Sequence, residues 1–174
     1  MLRKRLFRWE AVGFLFVCIF GTFLHFAYDW SNQSPFIASF AAVNESIWEH
    51  MKLLFFPMFL YAAIENLVLG EKHPNFWCTK LFGISLGLLL IPVLYYSYTG
   101  ILGIQKDWIN IVIFFLANAV SYLTEGLLFR KRTFKCPSPA IALFFLCLFA
   151  FGFVIFTFMP PQIPLFQESF YPIQ

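Results

Sequence analysis

The sequence predicts an all-α integral membrane bundle of about five transmembrane helices, N-terminus inside and C-terminus outside, with a short interfacial or re-entrant helix before the second span. Three observations predict it. The composition is 60% hydrophobic and 12% charged, where soluble domains carry roughly 45–50% and about 25%. The apolar residues fall into stretches of about 20, the length that crosses a hydrocarbon core. The basic residues sit in short runs between those stretches, so the net charge of +3 reports topology and not a nucleic-acid surface. The 26 phenylalanines read as lipid-facing bulk.

The chain is expected to form one transmembrane domain over residues 1–159 and a Pro-rich outward tail over 160–174. The first span covers about 11–30. Arg3, Lys4, Arg5 and Arg8 before it resemble the n-region of a signal peptide. No A-x-A-like site follows, however, and the apolar run continues through Phe23, Leu24, Phe26 and Tyr28, so it reads as an uncleaved helix. Ser34 before Pro35 forms a cap and first-turn pair for a short helix through about Ala42, too short to span. The second span covers about 44–69, with Ser46 and Glu49 spaced as a capping box. The break at Gly70 to Pro74 precedes a third span over about 77–98, where Pro92 marks a kink and Tyr95, Tyr96 and Tyr98 an interfacial belt. The fourth covers about 108–129. The fifth, about 139–159, follows Pro137-Ser138-Pro139.

The basic residues orient the bundle. An inside N-terminus places Arg3, Lys4, Arg5, Arg8, Lys72, Lys80, Arg130, Lys131, Arg132 and Lys135 in the cytoplasm and leaves Lys52 and Lys106 outward, ten against two. The four cysteines, Cys18, Cys78, Cys136 and Cys147, form no CxxC pair and two lie in apolar stretches, so neither a disulfide framework nor a zinc ribbon is expected.

Ionisable groups at membrane depth are costly and mark candidate sites. The outer group is His25 and Asp29 on the first span with Asn44, Glu45, Glu49, His50 and Lys52 on the second. His25 and Asp29, four apart, share a helix face, as do Glu45 and Glu49. His25 and His50 lie at similar depth, roughly 7–8 Å below the outer ends of their helices at 1.5 Å per residue, and consecutive helices pack as antiparallel neighbours. Imidazole plus carboxylate suits zinc, iron or manganese. The same groups suit proton chemistry without metal. In the bland alternative Glu49 pairs with Lys52, Glu45 sits in water, and each histidine makes one interhelical hydrogen bond. Asn44 and Lys52 would be polar support.

The inner group is Glu65 with Asn66 on the second span and Glu125 with Asn118 and Ser121 on the fourth. Each glutamate is expected to reach a cytoplasmic base such as Lys72 or Arg130, or a partner helix. Were both to face a common interior, outer and inner groups would mark the ends of a polar path, as in an ion-coupled transporter.

His25-Phe26-Ala27-Tyr28-Asp29-Trp30, the segment from Asn44 to Lys52, and the tail from Phe158 to Phe166 together resemble a family of small bacterial multi-pass membrane proteins of unknown function. The resemblance covers nearly the whole chain and implies a bacterial plasma-membrane location without implying an activity. The stretch from Leu165 to Pro172 departs from that family's tail. A weaker similarity is to membrane-embedded hydrolases that hold zinc with three histidines and an aspartate. Here the third histidine, His73, falls on the cytoplasmic side.

The expectation is therefore a membrane protein whose partner is the lipid bilayer. Its function is either chemistry at an outward metal or proton site, enzymatic towards lipid or envelope substrates, or ion-coupled transport, or a structural role. The apolar tail, with Pro160, Pro161, Ile163, Pro164, Leu165, Phe166, Phe170, Tyr171 and Pro172, is expected to pack over the outer mouth as a lid.

Overall fold

The computed structural model describes residues 2–70, 73–131 and 133–168, with side chains from residue 5 onward. Among these residues there is no strand. Six helices follow in order: α1 (Leu2–Trp30), α2 (Pro35–Ala38), α3 (Ile47–Leu69), α4 (Phe76–Leu102), α5 (Asp107–Arg130) and α6 (Pro139–Phe158). A 3-10 turn at Pro164–Phe166 closes the described chain. Five helices, all but α2, are long and apolar enough to cross a membrane.

The observed helices differ from the expected spans mainly at their ends. α1 starts at Leu2 and so carries Glu10 within its length. α4 runs on to Leu102, where Gly103 takes a left-handed φ of 64° and ends it. α3 begins at Ile47, three residues later than expected. Ser46 Oγ accepts from Glu49 N at 3.4 Å, one half of the capping box. Glu49 does not return the bond: its Oε2 accepts from Val43 N, while Asn44 Oδ1 takes Ser46 N. α2 ends at Ala38 rather than Ala42, and the Ala38 carbonyl, free of a helical partner, accepts from Lys52 Nζ at 2.8 Å. Ala38, Ala41 and Ala42 are buried, so this irregular backbone is covered by protein, as a membrane requires.

α1, α3, α4 and α5 form a closed ring of antiparallel neighbours, in which α3 and α5 face each other across the centre. α6 lies outside the ring against α3 and α4. Gly83 and Gly87 of α4, four apart, make the α4–α5 approach possible. A Cβ on Gly83 would overlap the Glu125 carboxyl, and one on Gly87 the Ser121 hydroxyl. The core runs along the ring's axis through Val17, Leu54, Met58, Ile84 and Ala117. Large apolar side chains such as Ile19, Leu67, Leu123 and Phe151 stay exposed, the arrangement of a bundle whose solvent is lipid.

The cysteines correct the sequence expectation. Cys78 in the first turn of α4 and Cys136 ahead of α6 form a disulfide, with Cα atoms 5.5 Å apart. Their 58-residue separation hid it, and Asn75 creates it. Its Nδ2 donates to the Phe134 carbonyl and its Oδ1 accepts from Cys136 N, which docks the loop onto the start of α4.

Candidate functional site

Among the described residues, ionisable side chains gather at three places, and their degree of satisfaction separates them. The first lies at the end of the bundle where α1 and α6 finish. His25 from α1, Glu45 ahead of α3 and His50 on the first turn of α3 offer ligand atoms all within 4.8 Å of one another. His25 Nε2 stands 3.8 Å from Glu45 Oε1, and His50 Nε2 stands 3.4 Å from Glu45 Oε2. Two ligands bound at about 2.1 Å in tetrahedral geometry are roughly 3.4 Å apart, so the set nearly has the span that one ion needs. His50 is oriented for that role. Its Nδ1–H donates to the Ser46 carbonyl at 2.9 Å, which leaves Nε2 with its lone pair towards Glu45. His25 is steadied by edge contact with Phe26, and the two imidazole centroids are 5.6 Å apart.

The three residues open onto a cavity of about 540 Å³ between α1, α3 and α5. Thr22, Gln105, Asp107 and Asn110 add polar groups to its wall, and Phe26, Leu53, Phe114 and Phe115 supply an apolar one. Sequence reasoning missed Asp107 and Asn110, whose only signal is their place in the first turn of a span that starts at the same face as Glu45. Gly21 lets α5 come close, since a Cβ there would strike the Phe114 ring.

The remaining outer candidates lie elsewhere. Asp29 is exposed and outside the triad. Glu49 and Lys52 turn away from the histidines and form the second place, fully buried between α3, α2 and α6. Lys52 Nζ reaches Glu49 Oε2 at 2.6 Å, the Ala38 carbonyl at 2.8 Å and Thr157 Oγ1 at 2.8 Å, so its three donors are all used. The Thr157 hydroxyl has Glu49 Oε1 at 3.1 Å and the Phe153 carbonyl at 2.9 Å, sharing its one proton between them. One cation meets one carboxylate, and every polar atom has a partner: this is a staple. Lys52 is therefore not an outward-exposed base. The tail continues this packing, with Phe166 set between Trp48 and Phe156 and Glu168 Oε1 accepting from Glu45 N at 3.4 Å. Phe170, Tyr171 and Pro172 lie outside the described residues.

The third place is at the opposite, N-terminal end, inside the ring. Glu10 from α1, Glu65 from α3 and Glu125 from α5 surround Lys80 from α4, one residue from each ring helix. Lys80 Nζ lies 2.5 Å from Glu65, 2.6 Å from Glu125 and 3.7 Å from Glu10. Glu65 and Glu125 do face a common interior, but their partner is Lys80 rather than Arg130; Lys72 lies outside the described residues. Sequence reasoning treated Lys80 as a cytoplasmic base and did not single out Glu10, whereas Lys80 is 1% and Glu10 6% exposed. His73, between α3 and α4, stands at this end and is remote from the triad. Its ring meets Phe129, and burial lowers its pKa below the usual histidine range while the Glu65 charge pulls the other way.

The chain belongs to a family of unknown function (DUF6512), which matches residues 2–172. No curated protein and no solved structure matches it.

Proposed function

We propose, for this member of a family without an assigned activity, that His25, Glu45 and His50 bind one zinc, iron or manganese ion at the outer end of the bundle, and that the adjoining cavity admits an amphiphilic substrate. The observation that carries this is the convergence of three ligand atoms within 4.8 Å at the wall of a cavity. Two imidazoles and a carboxylate are a ligand set that leaves an ion one open position, from which it acts as a Lewis acid or activates water. Glu45 thus stands in for the third histidine that the hydrolase resemblance lacked. Part polar and part aromatic, the cavity wall fits a headgroup with its chain, which supports a lipid or envelope substrate. Metal analysis by mass spectrometry tests it on protein purified in detergent without chelator. Near-stoichiometric metal in the wild type and its loss in His25→Ala/His50→Ala are expected. A wild type free of metal even after supplementation would leave Glu45 as a simple bridge between two imidazoles and overturn the reading.

We further propose that the chain lies in a bacterial plasma membrane with its N-terminal face in the cytoplasm. With Lys80 and Lys52 recognised as buried and set aside, the basic residues still divide nine against one, in support of that orientation. The Cys78–Cys136 disulfide then lies on the cytoplasmic face, where cellular reductants are expected to open the bond that the fold places these two thiols to form. Thiol counting on acid-quenched cells is expected to alkylate all four cysteines. Alkylation of Cys18 and Cys147 alone would put the N-terminal face in an oxidising compartment and reverse the orientation.

A further inference from the structure

The buried group around Lys80 does not balance. Three carboxyls share one ammonium, so full ionisation would leave two uncompensated negative charges inside the ring, out of reach of water. Three neighbouring neutral donors do not make up the difference, because they are committed to backbone. Tyr61 Oη donates to the Trp9 carbonyl, Ser121 Oγ to the Ala117 carbonyl and Asn118 Nδ2 to the Phe14 carbonyl. The Tyr122 and Phe76 rings offer Lys80 only their faces, 5.5 Å from Nζ. Glu65 Oε2 and Glu125 Oε2 share the ammonium, while both oxygens of Glu10, Oε1 of Glu65 and Oε1 of Glu125 are consequently buried without a hydrogen-bond donor. The Lys52–Glu49 staple, with its matched charges and used donors, shows that this chain can saturate a buried lysine. Around Lys80 it does not.

We propose that Glu10, Glu65, Lys80 and Glu125 form a proton-binding site that holds two exchangeable protons at neutral pH and loads from the N-terminal face through Glu10. Two protons bring the four side chains to neutrality, and they supply the donors that the carboxylate oxygens lack. Glu10 is the entry because its side chain comes nearest to the surface: the residue is 6% exposed against 0% for Glu65 and Glu125, with both of its carboxyl oxygens buried. It is also the one farthest from the ammonium, and its carboxyl lies near enough to Glu125 for a hydrogen bond once either carries a proton. The charged and titratable groups around the site are Glu10 on α1, Tyr61 and Glu65 on α3, Lys80 on α4, Tyr122 and Glu125 on α5, and His73 in the connection between α3 and α4. The site is independent of the metal reading, since none of its residues touches the triad.

Infrared spectroscopy of the purified full chain tests the proposal through the C=O stretch of protonated carboxyls. The wild type at neutral pH is expected to show this band, to shift it in heavy water, and to lose it as pH rises. Glu10→Gln removes one negative charge, so one proton suffices and the band is expected to fall by about half. Glu125→Gln serves as a second variant should the first not fold, and Glu45→Gln, outside the cluster, is expected to leave the band unchanged. Absence of the band in the wild type, its persistence at full intensity in both cluster variants, or its failure to shift in heavy water would overturn the proposal.

Discussion

Replacing Lys80 with methionine is expected to cost roughly 3–5 kcal/mol at neutral pH, the usual consequence of removing one partner from a buried ion group. Methionine approximates the length of the lysine stem, so packing against Phe76, Tyr122 and Phe129 is largely kept, and the loss is electrostatic. Without the ammonium, all three carboxyls must be neutral to remain buried, one proton more than in the wild type. Taking a proton from pH 7 onto a group of ordinary glutamate pKa costs about 3–4 kcal/mol, at 1.36 kcal/mol per pH unit, which agrees with the first figure. The sign with pH follows. The folded variant binds more protons than its unfolded chain, so the defect shrinks as pH falls towards the ordinary glutamate range and widens as pH rises. Thermal unfolding in one detergent across pH 5 to 8 (roughly the range around neutrality set by these pKa values) is the measurement. A defect independent of pH would mean that Lys80 contributes by packing alone.

Lys52→Met is expected to be as severe, again roughly 3–5 kcal/mol, but with a different rescue. It strands Glu49 opposite α6 and removes the donor to the Ala38 carbonyl and to Thr157. Because the charges are matched one to one, the double variant Glu49→Gln/Lys52→Met removes both at once, and it is expected to be clearly less damaged than the sum of the single variants. The difference is the coupling energy of the pair. Additive losses would show that the two side chains act separately, through α2 and the 38–43 segment respectively, and would count against a staple.

Much of the fold was legible. Apolar stretch length placed all five spans, with Gly70 to Pro74 and Pro137 to Pro139 marking breaks, and Ser46 was readable as a cap because its effect reaches only to Glu49. Helical rise put His25 and His50 at one depth, and they do meet. The errors share a cause. Glu10 and Lys80 sit near span ends, where a long charged side chain either snorkels to water or turns inward, and the letters are the same for both. Glu49 seemed to share its face with Glu45 because helical spacing was applied across a residue that precedes the helix. Cys78 and Cys136 were passed over as unrelated thiols because their proximity depends on Asn75 docking a distant loop.

By itself the sequence determined that this is a multi-pass all-helical membrane protein with ionisable residues within its spans, since span length, apolarity and residue type are properties of each helix alone. Only the tertiary structure decided which charges meet: the triad at one end, the saturated staple beside it, and the unbalanced quartet inside the ring. The quartet takes one residue from each of four helices, and its existence depends on their relative rotation and depth, which are set by packing such as that of Gly83 and Gly87 against α5 and by the cost of leaving any of those charges in lipid.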